Sequence, residues 1–250
     1  MKNEIILWIS SLILVFLISY FKNVTSPDYP ITSTVGIEGK KVSYKLDKVC
    51  FEKQFYKNII LSDVEELTGK LIWIKDNIRF EREYKKIDRG LECSIPILKP
   101  GKRIKYKVEL TYGEKTFEIP SEGYVTLTFW GNIPSAENGL VFIFLFGGLF
   151  ISIRCLLEIF NKNKNLKKYA VTVCSFFLIL NSIIIPLRNS YKLGAINSYV
   201  PQVLELIDPY LLLILFLWIA GTIFFFYKKF THQVLIIVTL TTVVLYFFSS

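Results

Sequence analysis

The sequence predicts an integral membrane protein in which an extracytoplasmic β-sandwich is inserted between one amino-terminal transmembrane helix and a four-helix transmembrane bundle. The first observation is that apolar residues form one run at the start of the chain and four more in its last part. The second is the polar segment between them, where apolar and polar residues alternate as in half-buried strands. We therefore divide the chain into an anchor at 1–22, a β-domain at 23–137 and a helical domain at 138–250.

Five apolar runs approach the length needed to cross a bilayer, whose hydrocarbon core takes about 20 apolar residues in a helix. The first and last are the shortest, and we predict that all five span the membrane. The runs are Ile5–Phe21, Leu140–Leu157, Tyr169–Leu187, Tyr210–Tyr227 and Val234–Phe248.

The first run follows a short basic start, as a cleaved signal peptide also would. Cleavage needs small residues near the end of the apolar run, whereas this run ends in the bulky aromatic residues Tyr20 and Phe21 before Lys22. We therefore favour an uncleaved signal anchor over the cleaved alternative.

Lysine clusters set the predicted orientation, because short loops rich in Lys and Arg stay in the cytoplasm. Such clusters occur in Asn161–Lys168 and at Lys228 and Lys229. The amino terminus is then cytoplasmic, and the β-domain, the loop from Arg188 to Pro209 and the carboxyl terminus are extracytoplasmic. Much of the net charge of +9 thus follows from topology in a bacterial plasma membrane, and we predict no nucleic-acid partner.

The segment 23–137 predicts seven or eight short antiparallel strands, which favours a β-sandwich. The predicted strands are Thr32–Ile37, Lys41–Leu46, Lys70–Lys75, Ile78–Tyr84, Leu91–Ile97, Ile104–Tyr112, Lys115–Ile119 and Tyr124–Trp130.

Two resemblances accompany this pattern. Pro100–Pro120, with its Pro-Gly turn and the tight hairpin at Tyr112–Glu114, resembles the last strands of fibronectin type III and immunoglobulin-like domains. The spacing of Cys50, Trp73 and Cys93 departs from the immunoglobulin pattern. The resemblance therefore implies a fold and no function.

The order of motifs along the chain resembles a group of uncharacterised bacterial inner-membrane proteins. It rests on Thr25–Pro30, Gly36–Gly39, Pro100-Gly101 and Glu205–Asp208. The resemblance implies an envelope location and this architecture, and it carries no activity.

Cys50 and Cys93 fall in the predicted extracytoplasmic domain. An oxidising compartment would allow a disulfide between them, and the alternative is two buried thiols. Both interpretations stay open from the sequence.

No catalytic or cofactor-binding motif is present. His232 is the single histidine, which excludes a bis-histidine haem or a Ser-His-Asp triad within this chain, and there is no phosphate-binding glycine motif. We predict a protein that is not an enzyme, with no cofactor and no metal.

Ionisable residues near the membrane are the remaining candidates, because they are costly there. Arg188, Lys192, Glu205 and Asp208 surround an apolar stretch in the predicted outer loop, which either binds a ligand or partner or lies as a lid on the headgroups. Arg154 and Glu158 lie four apart on one helix, so they pair or extend to the interface.

The functional hypothesis is a non-enzymatic membrane subunit or scaffold that recruits other membrane or periplasmic proteins through its β-domain and helices. The alternative is a small transporter or ligand-binding protein that uses the loop from Arg188 to Pro209.

Overall fold

The structure, a computed structural model, describes residues 2–37, 39–51, 55–161, 165–196, 198–227 and 231–249. The described chain forms two compact units. The β unit comprises Pro27–Asn132 with Lys192–Gly194, and the helical unit comprises Met1–Ser26, Ile133–Tyr191 and Ala195–Ser250.

Two sheets form the β unit. The first contains β1 (Ile31–Ile37), β2 (Lys40–Leu46), β4 (Phe55–Ser62), β7 (Lys85–Ile87) and β8 (Gly90–Pro96). The second contains β3 (Val49–Cys50), β5 (Thr68–Lys75), β6 (Ile78–Glu83), β9 (Arg103–Tyr112), β10 (Lys115–Ile119) and β11 (Val125–Phe129). The strand orders are β1-β2-β4-β8-β7 and β3-β11-β9-β5-β6, with β10 also paired to β9.

Alternation buries one face of each sheet against the other. Along β9, Ile104, Tyr106, Val108 and Leu110 are at most 2% exposed, and the residues between them face outward. Trp73 of β5 joins the same core. A sandwich of two sheets is therefore confirmed, and so is the hairpin after Tyr112, which pairs directly with Lys115.

The central strand β4 is absent from the sequence prediction. Its Tyr56, Asn58 and Ile60 point into the core, as alternation requires. Its outward residues Ile59 and Leu61 are also apolar, at 42% and 55% exposure, so the alternation of apolar and polar residues fails after Lys57. The failure of the pattern thus marks an apolar strip on the outer face of the first sheet.

The described residues form seven α-helices: α1 (Lys2–Thr25), α2 (Ser135–Leu157), α3 (Leu166–Ile179), α4 (Ile185–Lys192), α5 (Val203–Leu206), α6 (Pro209–Tyr227) and α7 (Thr231–Phe248). A π-helical turn, Leu180–Ile184, joins α3 and α4 into one continuous helix. A 3-10 turn, Glu158–Phe160, ends α2.

Four of these helices are long and apolar enough to cross a membrane, and α7 is a shorter apolar helix. This agrees with a membrane protein of four or five spans. Residues 162–164 and 228–230, which carry much of the lysine pattern, lie outside the described residues, so the orientation stays a prediction.

Glycines allow the helices to pack closely. A Cβ on Gly147 of α2 would lie 2.5 Å from the Phe176 ring, and one on Gly221 of α6 would lie 3.0 Å from Val238. Both glycines therefore allow close packing within the helical unit, whereas a Cβ on Gly139 would meet no atom within 4 Å.

Candidate functional site

The four predicted loop residues divide between the two units. Arg188 and Asp208 belong to the helical unit, and Lys192 belongs to the β unit. There the Lys192 amino group lies 4.6 Å from the centre of the Trp130 ring, and the Lys192 carbonyl accepts a hydrogen bond from Gly131. Glu205 is exposed on α5, where it accepts a bond from the Gln202 N–H at 3.1 Å.

A residue that the sequence did not suggest, Lys22 at the end of α1, interacts electrostatically with Arg188 and Asp208. The Asp208 carboxylate attracts both Lys22 and Arg188, and the two cations repel each other. The Lys22 amino group donates to Ser249 Oγ at 2.7 Å and lies 4.1 Å from the Tyr246 ring centre. We call Lys22, Arg188, Asp208, Tyr246 and Ser249 the Lys22 cluster.

Asp208 caps a helix in this cluster. It is 3% exposed, and its Oδ1 accepts hydrogen bonds from the N–H groups of Tyr210 and Leu211 at 2.9 and 3.1 Å. The carboxylate thereby caps the first turn of α6. The backbone donors at this helix end are consequently occupied by the protein itself.

Arg188 is less completely satisfied. Within the described chain its Nε is buried and has no hydrogen-bond acceptor. A desolvated guanidinium N–H without an acceptor is unfavourable, because water no longer provides the bond. The Lys22 cluster therefore holds two cations, one carboxylate and one unsatisfied donor.

Asn181 extends this polar region along the helix. From the π-helical turn, its Nδ2 donates to the carbonyls of Phe177 and of Leu211 on α6, at 2.8 and 3.2 Å. This is the interhelical bond expected of an amide in a membrane span.

A second charged cluster consists of Trp8, Arg154, Glu158 and Tyr169, and we call it the Arg154 cluster. Arg154 and Glu158 are 1% and 0% exposed, and Nη1 and Oε1 are 2.6 Å apart. The guanidinium carbon lies 5.0 Å from the Trp8 ring centre and 5.2 Å from that of Tyr169. The two residues pair, which is one of the two alternatives that the sequence left open.

Glu158 has further donors. Its carboxylate accepts bonds from Asn161 Nδ2 at 3.1 and 3.2 Å and from the Asn165 N–H at 3.3 Å. Arg154 Nη1 contacts Glu158 as an ion pair without hydrogen-bond alignment. The Arg154 cluster is thus neutral and enclosed by aromatic rings.

The core of the β unit contains a polar network rather than a reactive site. Tyr106 OH donates to the Asp47 carbonyl at 2.8 Å and lies 3.1 Å from Tyr56 OH, and Tyr84 OH donates to Asn58 Oδ1 at 2.6 Å. Burial raises the pKa of all three phenols above the ordinary value of 10.0. They therefore stay protonated and act as hydrogen-bond donors between the sheets.

Two cysteines of the β unit are also buried. Cys50 lies on β3 and Cys93 on β8, and the structure describes both as thiols that no disulfide joins. Burial raises the pKa of the Cys93 thiol, which lowers its reactivity. A disulfide in the oxidised protein stays a prediction.

The β unit also presents an open edge at β1. Its outward face and those of β2 and β4 form a shallow groove of about 460 Å³. The groove is lined by Thr32, Ser33, Thr34, Ser43, Tyr44, Lys45, Ile59 and Leu61.

No group of three or more His, Cys, Asp or Glu side chains suited to a metal ion occurs among the described residues. Comparison with known proteins gives no match to a family model, a curated protein or a solved structure. The two resemblances of the sequence analysis therefore stay predictions.

Proposed function

We propose that this protein is a non-enzymatic membrane-anchored subunit whose β unit recruits an extended segment of a partner protein at strand β1. In this form of recognition a partner segment adds a strand to a sheet edge, and main-chain hydrogen bonds hold it. The observation that carries the proposal is the chemistry of the β1 edge.

Sheet edges in native proteins are normally protected by charge, shortness or coverage. Among the described strands, the edges β3 and β7 have two and three residues. The edge strand β6 carries Arg79, Glu81, Arg82 and Glu83. In contrast, β1 has seven residues and no charge. The first sheet thus leaves one long, uncharged edge open.

The register shows which groups of β1 are available. Ile37 pairs with Lys40 across a two-residue connection, so this pair is hydrogen-bonded, and bonded and non-bonded pairs alternate from there. Thr32 and Thr34, opposite Lys45 and Ser43, are then in non-bonded pairs. Their N–H and C=O groups point away from β2 toward the open edge.

The groove beside this edge supplies a surface for side chains. Every second side chain of an added strand would lie directly beside Thr32 and Thr34, on the face of the sheet that also carries the groove. We therefore expect a partner segment with alternating β-branched or apolar residues.

Thr34→Pro tests the proposal, because proline removes the N–H that faces the edge and leaves the ladder to β2 intact. Thr34→Val is the matched control, since it keeps the N–H and removes the hydroxyl. We expect a stoichiometric companion to copurify in mild detergent with wild type and Thr34→Val but not with Thr34→Pro. A wild-type protein without a companion, or a companion retained by a folded Thr34→Pro variant, would refute the proposal.

A further inference from the structure

We propose that Lys22 and Arg188 of the helical unit bind one phosphate-bearing anion. The proposal is independent of partner recruitment at β1. It rests on the charge balance of the Lys22 cluster, on the unsatisfied Arg188 donor and on the position of the cluster at the helix ends.

Within the part of the chain that the structure describes, the Lys22 cluster contains two cations, Lys22 and Arg188, and one carboxylate, Asp208. Asp208 is the carboxylate that acts on both Lys22 and Arg188, and both cations are partly withdrawn from water. Each remains accessible to a ligand, because neither side chain is fully buried. One bound anion would neutralise the cluster and relieve the repulsion between the two cations.

The available donors fit phosphate. Arginine presents planar N–H groups that match phosphate oxygens, and lysine adds a compact charge. Arg188 Nε is the buried donor that lacks an acceptor within the described chain. Asp208 already occupies the backbone donors of α6, so the two side chains provide the binding.

The position of the cluster favours a ligand at the membrane surface. Lys22 lies in the last turn of α1, Asp208 directly precedes α6, and Ser249 directly follows α7. The ends of membrane-spanning helices lie at the depth of the lipid headgroups, where anionic phosphate groups are present. A lipid phosphate and a free phosphate ion share the required chemistry.

The test uses the full-length protein in nanodiscs of phosphatidylcholine that contain a minor fraction of phosphatidylglycerol. Native mass spectrometry counts the phosphatidylglycerol retained after release, and a parallel thermal unfolding series in phosphatidylcholine alone measures stabilisation by inorganic phosphate. Retention of phosphatidylglycerol identifies a lipid source. Stabilisation by phosphate without such retention identifies a free anion.

Variants separate the site from nonspecific attraction. We expect Lys22→Gln and Arg188→Gln to weaken binding roughly tenfold each, the loss of one hydrogen bond to a charged group. Lys167→Gln is the matched control, because Lys167 is an exposed lysine near a helix end that contacts Phe226 instead. Its binding should equal that of wild type.

We expect Asp208→Asn to have the opposite effect on anion binding. Asparagine keeps the helix cap and removes the competing negative charge, so anion binding should tighten. A variant that fails to fold cannot produce this gain. Absence of both lipid retention and phosphate stabilisation, equal binding by wild type and Arg188→Gln, or unchanged binding by Asp208→Asn would overturn the proposal.

Discussion

The two charged clusters of the helical unit satisfy their charges in different ways. Trp8 and Lys22, one from each cluster, are separated along α1 by 14 residues, or about 21 Å at the helical rise. The Arg154 cluster is built around two residues of one helix and is neutral and enclosed. The Lys22 cluster draws on four helices and retains positive charge and partial exposure. The comparison shows that a pair within one helix neutralises and buries its own charges. In the cluster drawn from four helices, the positive charge is partly exposed and is available to a ligand.

The largest expected effect is that of Glu158→Ala. It leaves the Arg154 guanidinium buried without its carboxylate, which should cost about 3–5 kcal/mol of unfolding free energy. Denaturant unfolding of the full-length protein in detergent measures the loss. A double variant with Leu at both positions removes the charges together and should recover most of the stability. Wild-type stability in Glu158→Ala would show that the pair is not enclosed.

Trp8→Ala comes next. The indole lies over the Arg154 guanidinium and is 5.3 Å from the Phe150 ring, so its loss should cost about 2 kcal/mol. Trp8→Phe keeps an aromatic face and should lose less. In a double-mutant cycle, the effect of Trp8→Ala should shrink when Arg154 is already replaced by Leu. Strict additivity would contradict the stacking interaction.

Lys22→Met should have the smallest effect on stability, at about 1 kcal/mol or less, because the electrostatic interactions of an incompletely buried charge contribute little. Methionine retains the apolar stem that packs against Tyr246. The same unfolding assay measures the change. If Lys22→Met proved as costly as Glu158→Ala, the distinction between an enclosed and an accessible cluster would be lost.

Local patterns predicted much of this architecture. The apolar runs indicated the helices, and alternation indicated most strands of the sandwich. The strand β4 was missed because Ile59 and Leu61 make its outward face apolar as well. Since surface recognition requires such exposed apolar residues, the failed pattern coincides with the groove that we propose for partner binding.

The candidate sites were harder to predict because they depend on distant residues. The spacing of Arg154 and Glu158 indicated a pair, but its burial comes from Trp8 on α1 and Tyr169 on α3. The structure places Arg188 and Asp208 in the helical unit and Lys192 in the β unit, so the predicted group of loop residues is divided. Lys22 was not considered a site residue, although it lies at helical spacing from the buried Ser11 and Val15 of α1. This spacing is the feature of the sequence that indicates that Lys22 faces the other helices.

The hydrogen bond between Lys22 and Ser249 joins residues 227 positions apart, and this separation orders events during biosynthesis. At roughly 5–20 residues per second, about 10–45 s pass between the synthesis of the two residues. Lys22 is therefore synthesised long before its hydroxyl partner exists. The Lys22 cluster is complete only when α7 has been synthesised and packed, so a bound anion would report a fully assembled helical unit.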